Sequence, residues 1–112
     1  EFSGNIIQTF TNRSLTQLFG VVHDRNVQPV PGTRLRITWQ ESNAANFFTT
    51  AGQYVRAETD ASGWEFKLNT RPIGNTWLVA VVDQNGNRLS ENVTVRTDGH
   101  SNSGAVNVAA RR

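Results

Sequence analysis

Residues 33–40 read Thr-Arg-Leu-Arg-Ile-Thr-Trp-Gln, and this strict alternation is the strongest constraint on what the chain can become. Successive side chains of a strand point to opposite faces, so Leu35, Ile37 and Trp39 share one side. Arg34, Arg36, Thr38 and Gln40 share the other, the pattern of a sheet with one face on a core and one in water. Trp64-Glu65-Phe66-Lys67-Leu68 repeats the device with Trp64, Phe66 and Leu68 inward. Trp77-Leu78-Val79-Ala80-Val81-Val82 is apolar on both faces and reads as a central strand. Further strands are expected at Asn5–Phe10, Leu18–His23, Gln53–Glu58, Asn92–Val95 and Ala105–Ala109. No segment has a competing helical period. The expected fold is all-β, an antiparallel β-sandwich of about seven to eight strands.

The punctuation between these segments agrees. Asp60-Ala61-Ser62-Gly63 and Asp83-Gln84-Asn85-Gly86 place an acceptor side chain first and a glycine last, as tight turns require. Asp24-Arg25-Asn26-Val27 occupies the same place after the second strand, with Val27 where glycine is expected. Gln28-Pro29-Val30-Pro31-Gly32 cannot continue a ladder, because its two prolines lack an N–H donor. Three longer loops are expected, at 41–52, 69–75 and 96–104. A chain of 112 residues fits one domain, here read as a core over 18–95 with an N-terminal strand at 2–10 and a C-terminal one at 105–110.

Charge and composition exclude several function classes. Ten of the eleven cations are arginine, and only Lys67 is lysine; against nine carboxylates the net charge is +2. That excess is too small for strong steering toward nucleic acid. There is no cysteine, hence no disulfide scaffold and no thiol nucleophile. The longest aliphatic run, Leu78–Val82, is too short to span a bilayer as a helix, so no membrane insertion is expected. Neither a leader pattern nor a linker is seen.

Two segments carry a family resemblance. Gly20-Val21-Val22-His23-Asp24 followed by Gln28-Pro29-Val30-Pro31-Gly32-Thr33-Arg34-Leu35 resembles the opening of a carboxypeptidase regulatory-like domain. Thr59-Asp60-Ala61-Ser62-Gly63-Trp64-Glu65-Phe66 is similar to that family's second hallmark, with Trp64 where Tyr or Phe is commoner. The resemblance implies an Ig-like, transthyretin-like (prealbumin-like) β-sandwich over roughly residues 18–95. It also implies a non-catalytic accessory module of a secreted or cell-surface protein, whose partners are neighbouring domains. The family has no fixed catalytic or binding residues to carry over. A related branch forms isopeptide bonds between Lys and Asn beside an acidic residue; Lys67, outward after the Asp60–Gly63 turn, is not placed for one.

Other candidates come from the residues themselves. Exposed aromatics on a sandwich stack on sugar rings, so Trp77, Tyr54 and Trp64 are the candidate ligand-binding residues for a polysaccharide, with Phe47 and Phe48 nearby. Core packing is the alternative, favoured for Trp39 and Trp64. Asp83-Gln84-Asn85-Gly86-Asn87 has the D-x-N-x-N opening of calcium loops, but Arg88 and Thr94 stand where Gly and Glu belong, and a hairpin explains it. His23, Asp24, Asp98 and His100 converge only if two loops meet. Neither a metal nor any other cofactor is expected. No nucleophile elbow or zinc-protease motif occurs, and Glu58, Asp60, Glu65 and Glu91 have no pairing dictated by spacing. No catalytic residue is therefore assigned. Arg34, Arg36, Arg56, Arg71, Arg96, Arg111 and Arg112 are read as a mixed-charge surface rather than a nucleic-acid face. Residues 2–10 either cover an edge of their own sheet or add to a neighbouring copy. Asn12-Arg13-Ser14 and Asn92-Val93-Thr94 fit the N-glycosylation pattern.

Overall fold

The computed structural model describes residues 3–11, 16–57, 59–68, 74–97 and 104–111. Eight strands are present: β1 (Ser3–Thr11), β2 (Thr16–His23), β3 (Arg34–Trp39), β4 (Ala45–Thr50), β5 (Trp64–Leu68), β6 (Asn75–Val82), β7 (Val93–Thr97) and β8 (Gly104–Arg111). They form two four-stranded sheets, ordered β1-β8-β2-β5 and β4-β3-β6-β7. Leu18 and Val22 of β2 and Trp64 of β5 meet Leu35, Ile37, Trp77, Val79, Val81 and Val95 of the other sheet in one buried cluster. This is the expected β-sandwich. The alternation of β3 is realised, with Leu35 and Ile37 buried and Arg34 and Arg36 half-exposed on the outside.

Three features depart from the reading of the sequence or complete it. All neighbouring strands pair antiparallel except β2 and β8, which run parallel from Gln17/Ala105 to His23/Arg111. The strand expected at Gln53–Glu58 is absent; β4 lies earlier, inside the segment expected to be loop. Adjacent Phe47 and Phe48 mask the alternation there. Phe47 faces inward, 5.0 Å from the Phe66 ring, and Phe48 faces outward with 46% exposure. Residues 53–57 instead lie on the connection between β4 and β5, which belong to different sheets. Gly52 N and Tyr54 N both donate to the Gly63 carbonyl, at 2.7 and 3.1 Å, which leaves no ladder for a strand. Finally, β1 pairs with β8 of its own chain across a bulge between Ile6 and Gln8, so the N-terminal strand is used within its own sheet.

One turn design closes the hairpins after β2 and after β6. Asp24 Oδ1 accepts the N–H groups of Asn26 and Gln28, at 2.8 and 3.0 Å, and Val27 N donates to the Asp24 carbonyl. Asp83 Oδ1 accepts those of Asn85 and Asn87, both at 2.9 Å, and Gly86 N donates to the Asp83 carbonyl. The two loops are equivalent position by position, down to Val30 N on Val22 O and Leu89 N on Val81 O. They differ in one residue of consequence. Gly86 sits at φ 86° with nothing near its missing Cβ, whereas Val27 is held at φ 61°, a region β-branched residues avoid.

This equivalence gives a reciprocal test. Val27→Gly relieves a left-handed β-branched residue and is expected to stabilise by about 1 kcal/mol, net of glycine's entropy cost. Gly86→Val is expected to destabilise by about the same amount. Thermal unfolding of the two variants against the parent, with shifts of roughly 4–8 °C in opposite directions, is the measurement.

Candidate functional site

The aromatic candidates are placed first by their strands. Trp77 begins the inward series of β6 and pairs in register with Trp39 on one side and Val95 on the other. It is wholly buried, stacked on Trp39 at 5.2 Å and 28°, with its Nε1 donating to Thr97 Oγ1 at 2.9 Å. Trp64 is wholly buried on the inner face of the other sheet. Tyr54 lies half-buried beside Phe19, ring centroids 5.9 Å apart, with the Arg56 guanidinium 4.9 Å from its ring centre and Gln17 Nε2 3.3 Å from its hydroxyl. The three residues thus occupy three different places, two of them inaccessible. A sugar-stacking platform of Trp77, Tyr54 and Trp64 does not exist, because both indoles are needed where the sheets meet.

The polar candidates gather at the end of the sandwich where β2 and β6 finish and β3 and β5 begin. Its centre is Asp60. One carboxylate oxygen accepts the N–H and the Oγ–H of Ser62, at 2.8 and 2.6 Å, and the other faces His23 Nε2 at 2.6 Å. Ser62 is fully buried, and its Oγ also accepts the N–H of Val22 at 3.0 Å. Partial burial pushes the Asp60 carboxyl up, but the hydrogen bonds from Ser62 and His23 outweigh it and hold the group below its ordinary range. Asp83 is likewise held low, chiefly by the backbone N–H of Asn87.

Serine, aspartate and histidine are all present here, but in an order unsuited to nucleophilic chemistry. A hydrolytic triad needs the imidazole between the hydroxyl and the carboxylate, so that it can take the hydroxyl proton. Here the carboxylate stands between, and the hydroxyl is buried with its proton and lone pair engaged. The cluster ties the Asp60 turn to the end of β2. Gly63 completes the tie, since a Cβ at that position would stand 1.9 Å from the Tyr54 carbonyl oxygen.

The remaining candidates do not assemble. Asp24 and Asp83 spend one carboxylate oxygen each on their own turns, and Asp98 and His100 lie outside the described residues. Among the described residues no three His, Asp or Glu side chains gather as metal ligands. Glu65 accepts from Gln17 Nε2 at 2.6 Å on the outer side of β5, away from Asp60; Glu91 is exposed and Glu58 is outside the described residues. Lys67 is exposed on β5. Arg34, Arg36 and Arg96 share the outer face of the second sheet, while Arg56 sits with Tyr54; the side chains of Arg71, Arg111 and Arg112 lie outside the description. Of the two glycosylation patterns, Asn12–Ser14 lies outside it, and Asn92 accepts from Arg36 Nη2 at 3.3 Å. A shallow depression of about 250 Å³ beside Arg34, Gln84 and Leu89 is smaller than pockets that enclose ligands.

No protein-family model matches the chain, and no curated protein matches its sequence significantly. Among solved structures it is similar to the C-terminal fragment of the pilus adhesin SpaC from Lactobacillus rhamnosus GG, with a TM-score of 0.51 and 11% identity. That match covers 87% of this chain and 44% of the other, so the chain spans less than half of the fragment's length. At this identity the likeness concerns the fold.

Trp77→Ala is expected to cost about 3–5 kcal/mol in stability, the range for emptying a core aromatic site, whereas Tyr54→Ala costs about 1 kcal/mol. Urea unfolding of both variants measures the contrast; similar midpoints would contradict the placement of Trp77. A depressed native carboxyl binds fewer protons than its unfolded counterpart. Its stabilisation is therefore present above the unfolded pKa and is lost as pH falls through the folded one. Stability is accordingly expected to drop below about pH 4, with a shallower drop in Asp60→Asn, read as urea midpoints across that range.

Proposed function

We propose that this chain is a non-catalytic accessory module of a secreted or cell-surface protein, a β-sandwich that spaces or stabilises neighbouring domains. The observation that carries this reading is the use made of the polar side chains at the loop-rich end. Asp24, Asp60 and Asp83 all have carboxylate oxygens committed to closing their own turns, and Ser62 and Ser90 accept the buried N–H groups of Val22 and Val81. These residues build a stiff scaffold and leave no activated nucleophile or acid–base pair among them.

Two further facts support it. The fold likeness is to a fragment of a pilus adhesin in which a unit of this size is less than half of the chain. The motifs shared with carboxypeptidase regulatory-like domains, at residues 20–35 and 59–66, are here the turn-forming residues. They include Gly32 at φ 88° and the Asp60–Gly63 turn, so the resemblance is one of framework. Membership of that family is the finer form of the proposal, and a transthyretin-like sandwich is its expected architecture.

Intrinsic tryptophan fluorescence tests the reading against carbohydrate binding. The expected result is blue-shifted emission with weak acrylamide quenching, unchanged when soluble polysaccharides are titrated. A saturable emission change with one polysaccharide would replace the accessory role with a binding module.

A further inference from the structure

The four sheet edges of this molecule are not equally protected. Edge strands expose unpaired N–H and C=O groups, and proteins blunt them with bulges, charges or covering segments. β1 carries a bulge between Ile6 and Gln8. β5 carries Glu65 and Lys67, and β7 carries Arg96. β4, the last strand of its sheet, reads Ala-Asn-Phe-Phe-Thr-Thr, with no charge, proline or bulge. It is the edge most ready to accept another strand.

Register shows which groups are offered. Ala51 N donates to Thr33 O at 2.8 Å, continuing the β3–β4 ladder by one pair. Bonded and non-bonded pairs alternate in such a ladder, so residues 45, 47 and 49 are bonded to β3. The N–H and C=O groups of Asn46, Phe48 and Thr50 therefore face the open edge. Their side chains stand on the outer face, where Asn46 and Phe48 are exposed.

The same face decides what can pair there. The Arg34 guanidinium lies 4.1 Å above the centre of the Phe48 ring, which brings its charge across to β4. Among the described residues it has no carboxylate within ion-pair reach, the one ion pair being His23–Asp60. The outward positions of β3, β4, β6 and β7 hold Arg34, Arg36 and Arg96 and no acidic residue. Self-pairing of two β4 strands about a twofold near Phe48 would bring two Arg34 charges over adjacent rings, so like-charge repulsion opposes a dimer through this edge.

We infer that the β4 edge is a docking site for an extended segment of another protein that carries Asp or Glu at alternate positions. The segment's backbone would bond to Asn46, Phe48 and Thr50, and its outward carboxylates would meet Arg34, a strand-addition mode in which main chain supplies affinity and alternate side chains supply selectivity. The inference stands apart from the accessory role proposed above, which fluorescence tests separately.

Selection from a displayed library of random peptides on the purified 112-residue protein provides the test. Enrichment of Asp and Glu at alternating positions is expected. Asn46→Pro, which removes an edge donor and no β3 main-chain bond, should abolish the enrichment. Asn46→Ala, which equally removes the Oδ1 acceptor of the Thr38 hydroxyl (2.7 Å) but keeps the edge N–H, should not. Arg34→Glu should turn the enrichment toward Lys and Arg. Arg34→Glu should also weaken the acidic peptides selected on the parent by about tenfold in fluorescence anisotropy. All three variants are first checked for unchanged circular dichroism. Hydrogen exchange should show new protection at residues 46, 48 and 50 when a selected peptide is bound. Absence of enrichment, enrichment indifferent to charge or to Asn46→Pro, or protection elsewhere would overturn the proposal. So would a sedimenting dimer that Asn46→Pro dissolves, which would assign the edge to a second copy.

Discussion

The seam between the two sheets is the constraint on which the rest depends. β3 and β6 each bring an inward row to it, and Trp77 lies wholly buried there, stacked on Trp39, tilted against Phe66 at 5.6 Å and hydrogen-bonded to Thr97. A side chain of that size sets how closely the sheets approach, and the hydrogen bond satisfies the indole N–H that burial would otherwise leave costly. Trp64 fills the seam from the opposite sheet without exposure, but among the described residues its buried indole N–H has no hydrogen-bond partner. With no cysteine in the chain, disulfides contribute nothing, and this apolar contact area is the main source of stability.

Given that seam, the loops at one end become a problem of backbone satisfaction. Strand ends present donors with no ladder partner, and short polar side chains supply acceptors for them. The Asp24 and Asp83 turns do this for their own hairpins, while Ser62 and Ser90 reach back to β2 and β6. The arrangement repeats in the two sheets, which is why a strained Val27 is tolerated where its counterpart is Gly86: the surrounding hydrogen bonds dictate the backbone and the residue complies. Polarity at this end is structural. The opposite logic holds on the outer face of β3 and β4, where, among the described residues, the arginines and Phe48 have no acidic neighbour and the outer main-chain groups of β4 have no strand partner.

Seven of the eight strands were legible from period-two alternation and turn chemistry, because burial on one face and water on the other imposes that pattern directly. β4 was missed since its alternation is written in two adjacent phenylalanines, one for each environment. Gln53–Glu58 looked like a strand because Tyr54 and Arg56 alternate with smaller residues, yet Tyr54 N bonds to Gly63 and the Tyr54 carbonyl and the Arg56 backbone bond to Thr59 rather than to a neighbouring strand. The candidate binding residues fared worse. Trp77 is central in a strand apolar on both faces, and nothing in such a strand says which side is the seam.

By itself the sequence determined the class: strand periodicity together with Asp- and Gly-bearing turns specifies an all-β sandwich. The tertiary structure alone decided which strands neighbour one another, including the parallel pairing of β2 with β8, and which aromatics are spent on the core. It also decided that β4, a strand with no charge or proline, stands at a sheet edge among the described residues. Those outcomes depend on contacts between residues far apart in the chain, such as His23 with Asp60 or Arg34 with Phe48, and local pattern carries no information about them.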